Sequence, residues 1–212
     1  MSHEAVVHVI DDDDAVLRSV SFLLRAHRLP ARTYASGRDF LETTVAGMAG
    51  CILCDVRMPG IDGIELLRQL RERDLYLPFL VMTGHADVAM AVEAMKTGAM
   101  DFIEKPFADE RLLVMVRKGL ALSESQRSQR ERLSEARQRL AVLSAREREI
   151  LTAVSEGKAS KAIAHDLGLS VRTVEVHRSN LMAKLRVENA ASAIALLRKA
   201  EGDGVDPGLL RP

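Results

Sequence analysis

Two rhythms divide the 212-residue chain. In its first half, apolar runs of strand length recur at Val6–Ile10, Cys51–Cys54, Phe79–Met82 and Asp101–Ile103, with a weaker one near Ala31–Tyr34. Between them, apolar positions return at the period of a helix face. Val16, Val20, Leu23, Leu24 and His27 share one such face, and Ile64, Leu67 and Leu70 another. Val88, Ala91, Val92 and Met95 share a third, with Asp87 expected as its N-cap and Gly98 as its stop. Leu112, Leu113, Val116 and Leu120 mark the last. Alternating strand and helix signals predict an α/β domain, a five-stranded doubly wound parallel sheet with helices on both faces.

After Leu143 only the helical period remains. Ser144 and Glu147 have the spacing of a capping box, ahead of Ile150, Leu151 and Val154. Gly157 is expected to stop that helix. Ser160 is expected to cap a second, carrying Ile163, Ala164 and Leu167. A tight turn at residues 168–170 leads to a third helix, capped by Ser170 and running to about Leu185. Asn189 caps a fourth, ending near Gly202. This predicts an all-α four-helix domain.

Residues 123–142 are rich in Arg, Gln, Glu and Ser and hold no Pro or Gly. Leu133, Ala136, Leu140 and Leu143 recur there at coiled-coil spacing, over too short a stretch to prove a coiled coil. Two readings stand level: a helical linker continuing the preceding helix, and a merely solvated charged helix. The expected division is 1–122, a linker at 123–142, 143–202, and a disordered tail at 203–212.

Composition narrows the function classes. Hydrophobic residues make up 47% and charged residues 28%, the balance of a soluble globular protein. No apolar run is long enough to span a bilayer, and no signal-peptide core follows the N-terminal Met-Ser-His-Glu, so a cytoplasmic location without a membrane partner is expected. Zero net charge argues against binding nucleic acid through bulk charge. That total hides an asymmetry. Residues 1–122 carry 14 basic and 18 acidic groups, 123–142 carry 5 and 3, and 143–212 carry 11 and 9. Cys51 and Cys54 have the spacing of a redox or zinc pair. On a strand, however, residues three apart face opposite ways, so both are expected as buried core.

Ligands of open parallel sheets bind at the carboxyl ends of the strands. Asp11–Asp14 follow the first strand, Asp55 ends the third, Thr83 ends the fourth, and Lys105-Pro106 follows the fifth. Clustered carboxylates need a cation, and an all-oxygen site suits Mg²⁺. Asp55 is the best-placed nucleophile, giving an aspartyl phosphate. Lys105 can supply a second positive charge, and the Thr83 hydroxyl a hydrogen bond to a phosphoryl oxygen. Asp13 and Asp14 are better read as helix caps.

Val-Ile-Asp11-Asp12, Asp55-Val-Arg-Met-Pro-Gly60, Met-Thr83-Gly84-His and Phe102-Ile-Glu-Lys105-Pro-Phe resemble, in order and spacing, the motifs of flavodoxin-like response-regulator receiver domains. The likeness covers about residues 5–122. It implies that Asp11 and Asp12 organise Mg²⁺ and that the Arg57 carbonyl is a further ligand. It implies that a sensor histidine kinase phosphorylates Asp55, and that Thr83 and Phe102 form a switch pair. Val92 and Lys96 would belong to a face that dimerises on phosphorylation. Arg57 and His85 occupy places that influence phosphoryl lifetime in receivers.

In the last domain, the helix over residues 171–185 has two faces. Val174, Leu181, Met182 and Leu185 form a core stripe, while Arg172, Glu175, Val176 and Ser179 form a second stripe fit for a major groove. Arg172 can reach a phosphate or a guanine edge, and Val176 a thymine methyl. Glu175 either reads cytosine or orients Arg178. Lys158, Ser160, Lys161, Thr173, His177 and Lys184 are assigned to phosphates.

Leu143-Ser-Ala-Arg-Glu-Arg-Glu-Ile150, Ser160-Lys161-Ala-Ile-Ala164, and Thr173-Val-Glu-Val-His177 through Lys184-Leu185 resemble the LuxR-type helix-turn-helix over about residues 141–200. With the receiver, the whole chain is similar to the FixJ/NarL family, on its FixJ side. Ser160 departs from the family's usual Asn. The resemblance implies a transcription regulator that dimerises on phosphorylation over two-fold symmetric double-stranded DNA, with half-sites about 10 bp apart or a multiple of that. RNA polymerase is a candidate partner. No enzyme activity is expected beyond self-catalysed phosphoryl acceptance and slow autodephosphorylation. Two rivals are a phosphotransferase or phosphatase acting on small molecules through an aspartyl phosphate, and a signalling scaffold whose last helices bind protein. The first lacks a catalytic acid two residues after Asp55, where Arg57 stands.

Overall fold

The computed structural model describes residues 5–44, 48–84 and 88–202, with backbone alone at Val88. Asp87, His85 and the tail from 203, each given a role above, lie outside these residues. The chain divides between Arg127 and Ser128 into two compact units.

The first unit is the expected parallel sheet. Strands β1 (Val6–Ile10), β2 (Ala31–Tyr34), β3 (Gly50–Asp55), β4 (Phe79–Thr83) and β5 (Asp101–Glu104) lie in the order β2-β1-β3-β4-β5. Every pairing is parallel. Helices α1 (Asp14–Ala26), α2 (Gly37–Thr43), α3 (Gly63–Glu72), α4 (Val88–Thr97) and the start of α5 (Asp109–Leu140) cover the sheet. Because strand side chains alternate, β3 feeds two cores. Ile52 and Cys54 join Phe40, Leu67 and Phe79 on one face. Cys51 and Leu53 join Leu24, Met82 and Val116 on the other. The two thiols are therefore free, buried and back to back. Burial pushes Cys51 up to about 12 and Cys54 well above the usual thiol range.

Two helix faces differ from those the periodicity predicts. The core side of α1 is Leu17, Val20 and Leu24, while Val16 and Leu23 are half-buried and His27 is the exposed C-cap. Of the stripe expected on α4, Ala91 is buried, as is Ala94 three residues on, but Val92 is 48% and Met95 40% exposed. Small residues let α4 approach its neighbours while the larger ones face outward. The short α2 has too few turns to show a period. Its N-cap is Ser36, whose side chain accepts from the Asp39 N–H.

Helix α5 runs unbroken for 32 residues, so the charged stretch is helical and continuous with the segment before it, a form that both of its readings share. Leu112, Leu113 and Val116 pack in the sheet core. Ala136 and Leu140 pack in the core of the second unit. That unit adds α6 (Ala145–Ser155), α7 (Ser160–Leu167), α8 (Val171–Leu185) and α9 (Ala190–Glu201). The capping box of Ser144 and Glu147 is formed, and Ser170 and Asn189 cap α8 and α9. Ser160 does not cap. It is the first residue of α7, whose N-cap is Ala159 without a side-chain bond. Gly168 ends α7 at φ 65°, a left-handed turn that needs no Cβ accommodated. Among the described residues, no helix is long and apolar enough to cross a membrane.

Candidate functional site

Strand register gathers the polar residues at one edge. Ile10 pairs with Cys54, Asp55 with Met82, and Thr83 with Glu104, so Asp11, Asp55, Thr83 and Lys105 all fall at the carboxyl end of the sheet. Asp11, Asp55 and Thr83 are buried. The Lys105 ammonium bridges the two acids, 2.6 Å from Asp11 Oδ2 and 2.5 Å from Asp55 Oδ1. The second oxygen of Asp55 accepts the Arg57 N–H at 2.6 Å, and that of Asp11 accepts the Asp13 N–H at 2.9 Å. Asp13 also caps α1, and Asp14 lies in its first turn.

Burial raises the Asp55 carboxyl above its ordinary range; Lys105 pulls it down, Asp11 pushes it up, and the Arg57 N–H pulls it down again. Burial depresses Lys105, but its bonds to Asp11 and Asp55 outweigh that and hold it above the usual lysine value. The two acids together hold the Lys105 side chain at this edge. Asp12 is exposed, and the Thr83 hydroxyl donates to the Gly84 carbonyl at 3.3 Å. Phe102 is 38% exposed on β5. Among the described residues, no three His, Cys, Asp or Glu side chains already stand as a closed metal cage.

Gly63, which no pattern in the sequence marks, also shapes this edge. It opens α3 against the end of β3, where a Cβ would lie 2.5 Å from the Asp55 carbonyl oxygen. A glycine at a helix start carries no periodic signal.

In the second unit the outward stripe of α8 is present. Arg172, Glu175, Val176 and Ser179 are exposed, Val176 at 52%. Several of the other polar residues have protein partners. Lys158 pairs with Asp166 and Glu156. Arg178 Nη1 donates to Ser160 Oγ at 2.8 Å; among the described residues no hydrogen bond joins it to Glu175. Thr173 Oγ1 shares a 2.8 Å hydrogen bond with Ser170. Lys184 Nζ donates to Glu147 Oε2 at 2.8 Å. Glu147 is only 3% exposed, and its carboxyl is held below the usual range, chiefly by Lys184. Lys161 is exposed and His177 half-buried.

The chain is thus a two-module protein: a doubly wound sheet with clustered carboxylates at its carboxyl edge, followed by a unit containing helix, turn and outward-facing helix. Comparison with known proteins makes the class particular. Residues 7–117 match the response regulator receiver domain, and residues 141–197 match the luxR family of bacterial regulatory proteins. The transcriptional regulatory protein FixJ of Azorhizobium caulinodans is 49% identical over 207 residues, spanning 98% of this chain and 97% of that one. The response regulator protein TodT of Pseudomonas putida is 38% identical, spanning 92% and 86%. The solved structure of the response regulator StyR superposes with a TM-score of 0.83 at 37% identity, covering 93% of this chain and all of that one. The chain belongs to the FixJ/NarL family of response regulators, and it is a DNA-binding regulator of a two-component system. These modules imply a histidine kinase and DNA as partners, and receiver domains generally bind Mg²⁺ at the site of phosphorylation. A protein-binding scaffold is not favoured.

Proposed function

We propose that Asp55 is the phosphoryl acceptor and that α8 is the helix that reads DNA. The observation that carries the first statement is the Lys105 ammonium held between the buried carboxylates of Asp11 and Asp55. Their oxygens converge on a single cationic centre. Mg²⁺ needs only one or two carboxylates, since it keeps several waters. This donor set therefore fits the ion: Asp11, Asp12, Asp55 and the Arg57 carbonyl would hold it. When bound, it supplies positive charge to the transferring phosphoryl group.

The residues of the chain do the rest. An Asp55 carboxylate oxygen attacks the phosphorus of a kinase phosphohistidine, a P–O bond forms, and the P–N bond to imidazole breaks. Lys105 then exchanges its bond to Asp55 for one to a phosphoryl oxygen. The added group carries about two negative charges. Thr83 turns its hydroxyl from the Gly84 carbonyl toward that charge, and Phe102 moves inward behind it. This remodels the surface of α4 and β5, where Val92 and Lys96 lie. Val92 and Met95 offer apolar area there for a second copy of the chain. Two copies then present two α8 helices to a two-fold symmetric site in the cytoplasm, with Arg172, Glu175, Val176 and Ser179 toward the bases. Lys161, Thr173 and His177 serve phosphates, with Lys158, Ser160, Arg178 and Lys184 joining them by giving up part of their internal bonding. RNA polymerase is the partner expected at the promoter.

The decisive experiment is acetyl-phosphate labelling followed by intact mass measurement. Wild type gains one phosphoryl group and shifts toward dimer on size exclusion. Asp55→Asn does neither; undiminished labelling in that variant would sink the assignment.

A further inference from the structure

Helix α5 ends inside the second unit, and it ends on two arginines with specific tasks. Arg139 Nη2 donates to the carbonyl of Leu185, the last residue of α8, at 2.8 Å. Arg137 Nε donates to the carbonyl of Ala200, one residue from the end of α9, at 3.1 Å. Between and beside them, Ala136 and Leu140 are buried with Val174, Leu181 and Leu185 of α8. The last turn of a helix leaves carbonyls without intrahelical partners and carries partial negative charge. A guanidinium there satisfies the carbonyl and complements the dipole, in a charge-assisted bond. Arg139 therefore grips α8 at the opposite end from its Ser170 cap.

We propose that Arg139 is a positioning residue for DNA reading. By holding the Leu185 carbonyl it fixes the placement of α8 against the rest of its unit, so the final turns of α5 are a working part of the DNA-binding head. This rests on α8 being the reading helix. The bond ties α8 to the same segment that carries Ala136 and Leu140 into the core. Loss of the bond frees the C-terminal end of α8 and displaces Arg172, Glu175, Val176 and Ser179 from the register that base contacts demand. Phosphate contacts are common to every sequence, so any change in them alters selected and non-specific binding alike and leaves their ratio untouched. Sequence preference is thus the property that Arg139 protects.

The test uses the full-length chain and a duplex that the wild type selects from a random-sequence DNA pool, with poly(dI-dC) as the non-specific competitor. Arg139→Met keeps the aliphatic stem and removes the donor. It is expected to lower the ratio of selected to non-specific affinity about tenfold, the scale of one charge-assisted bond, with the salt slope unchanged. Arg139→Lys, which can still reach a terminal carbonyl, is expected to stay within about threefold of wild type. Arg137→Met removes the same charge from a neighbouring site and spares the ratio. Circular dichroism of each variant at the assay temperature shows whether its helices persist. If Arg139→Met weakens both DNAs alike and flattens the salt slope by about one, Arg139 is a phosphate contact and the proposal is overturned. An unchanged ratio overturns it as well, as does failure of Arg139→Lys to restore a lost one. Arg172→Ala serves as the check on α8 itself. If that variant keeps full sequence preference, α8 does not read the bases, and the role of Arg139 falls with it.

Discussion

Lys184 reaches across 37 positions of sequence to the nearly inaccessible carboxylate of Glu147, joining the last turn of α8 to the first turn of α6. Glu147 also accepts the Ser144 N–H, so one carboxylate serves both a cap and an ion pair. Removing one partner of a buried pair leaves the other poorly solvated, although the 46% exposure of the Lys184 side chain softens that cost. Glu147→Ala is expected to destabilise the second unit by about 2 kcal/mol, cap included. Urea unfolding followed by circular dichroism measures it. The pH dependence has a defined sign. A carboxyl held below its ordinary range stabilises the fold above the unfolded value, and that contribution fades as pH falls through the lowered folded value. Acid should therefore narrow the gap between wild type and Glu147→Ala.

His8 points the same way for the first unit. It is buried on β1 with its Nδ1 3.1 Å from the Tyr34 hydroxyl and its ring against Tyr34 and Phe40. Burial first, and Arg32 second, lower its value to about 4. The unfolded chain binds this proton near pH 6.5, so stability present above that value is lost as pH falls toward about 4. The full loss is about 3 kcal/mol. Urea midpoints at neutral pH and near pH 4.5 should differ by less in His8→Leu than in wild type. An imidazole resonance of His8 that titrates near 6.5 in the folded protein would contradict this.

Gly63 holds the edge open. Its Cβ position lies 2.5 Å from the Asp55 carbonyl oxygen and 3.1 Å from the Val56 Cα, both backbone and unable to swing aside. Gly63→Ala is expected to cost about 1–3 kcal/mol through the forced shift of β3 against α3. It should also slow acetyl-phosphate labelling of Asp55, because the shift begins at the acceptor's own carbonyl. Normal labelling at normal stability would show that the loop has more room than the backbone suggests.

Periodicity located the strands to within a residue at each end, because runs such as Val6–Ile10 have few competing patterns. The convergence of Asp11, Asp55, Thr83 and Lys105 was legible too, since strand ends in a parallel sheet share an edge. Phase was harder. Val16 and Leu17 are adjacent, and either completes an apolar stripe with Val20 and Leu24; only packing against the sheet chooses Leu17. On α4, apolar character did not mean burial, and Val92 shows it. Long-range polar pairs were invisible. Lys184, Arg178 and Lys158 all look like solvent-facing cations in sequence, yet each has a protein partner. Arg139 carried no signal at all, since its acceptor is a main-chain carbonyl.

The back-to-back thiols of β3 make the receiver a self-reporting object. Neither sulfur is accessible or acidic enough to react in the native fold, so chemical labelling requires opening of the layer that covers it. Cys51 is released by loosening on the side of α1 and α5, Cys54 on the side of α2 and α3. Alkylation rates of the two, resolved by peptide mass, therefore time the breathing of each half of the sandwich independently. No probe has to be engineered in, and the pair would show which layer loosens when Asp55 is phosphorylated.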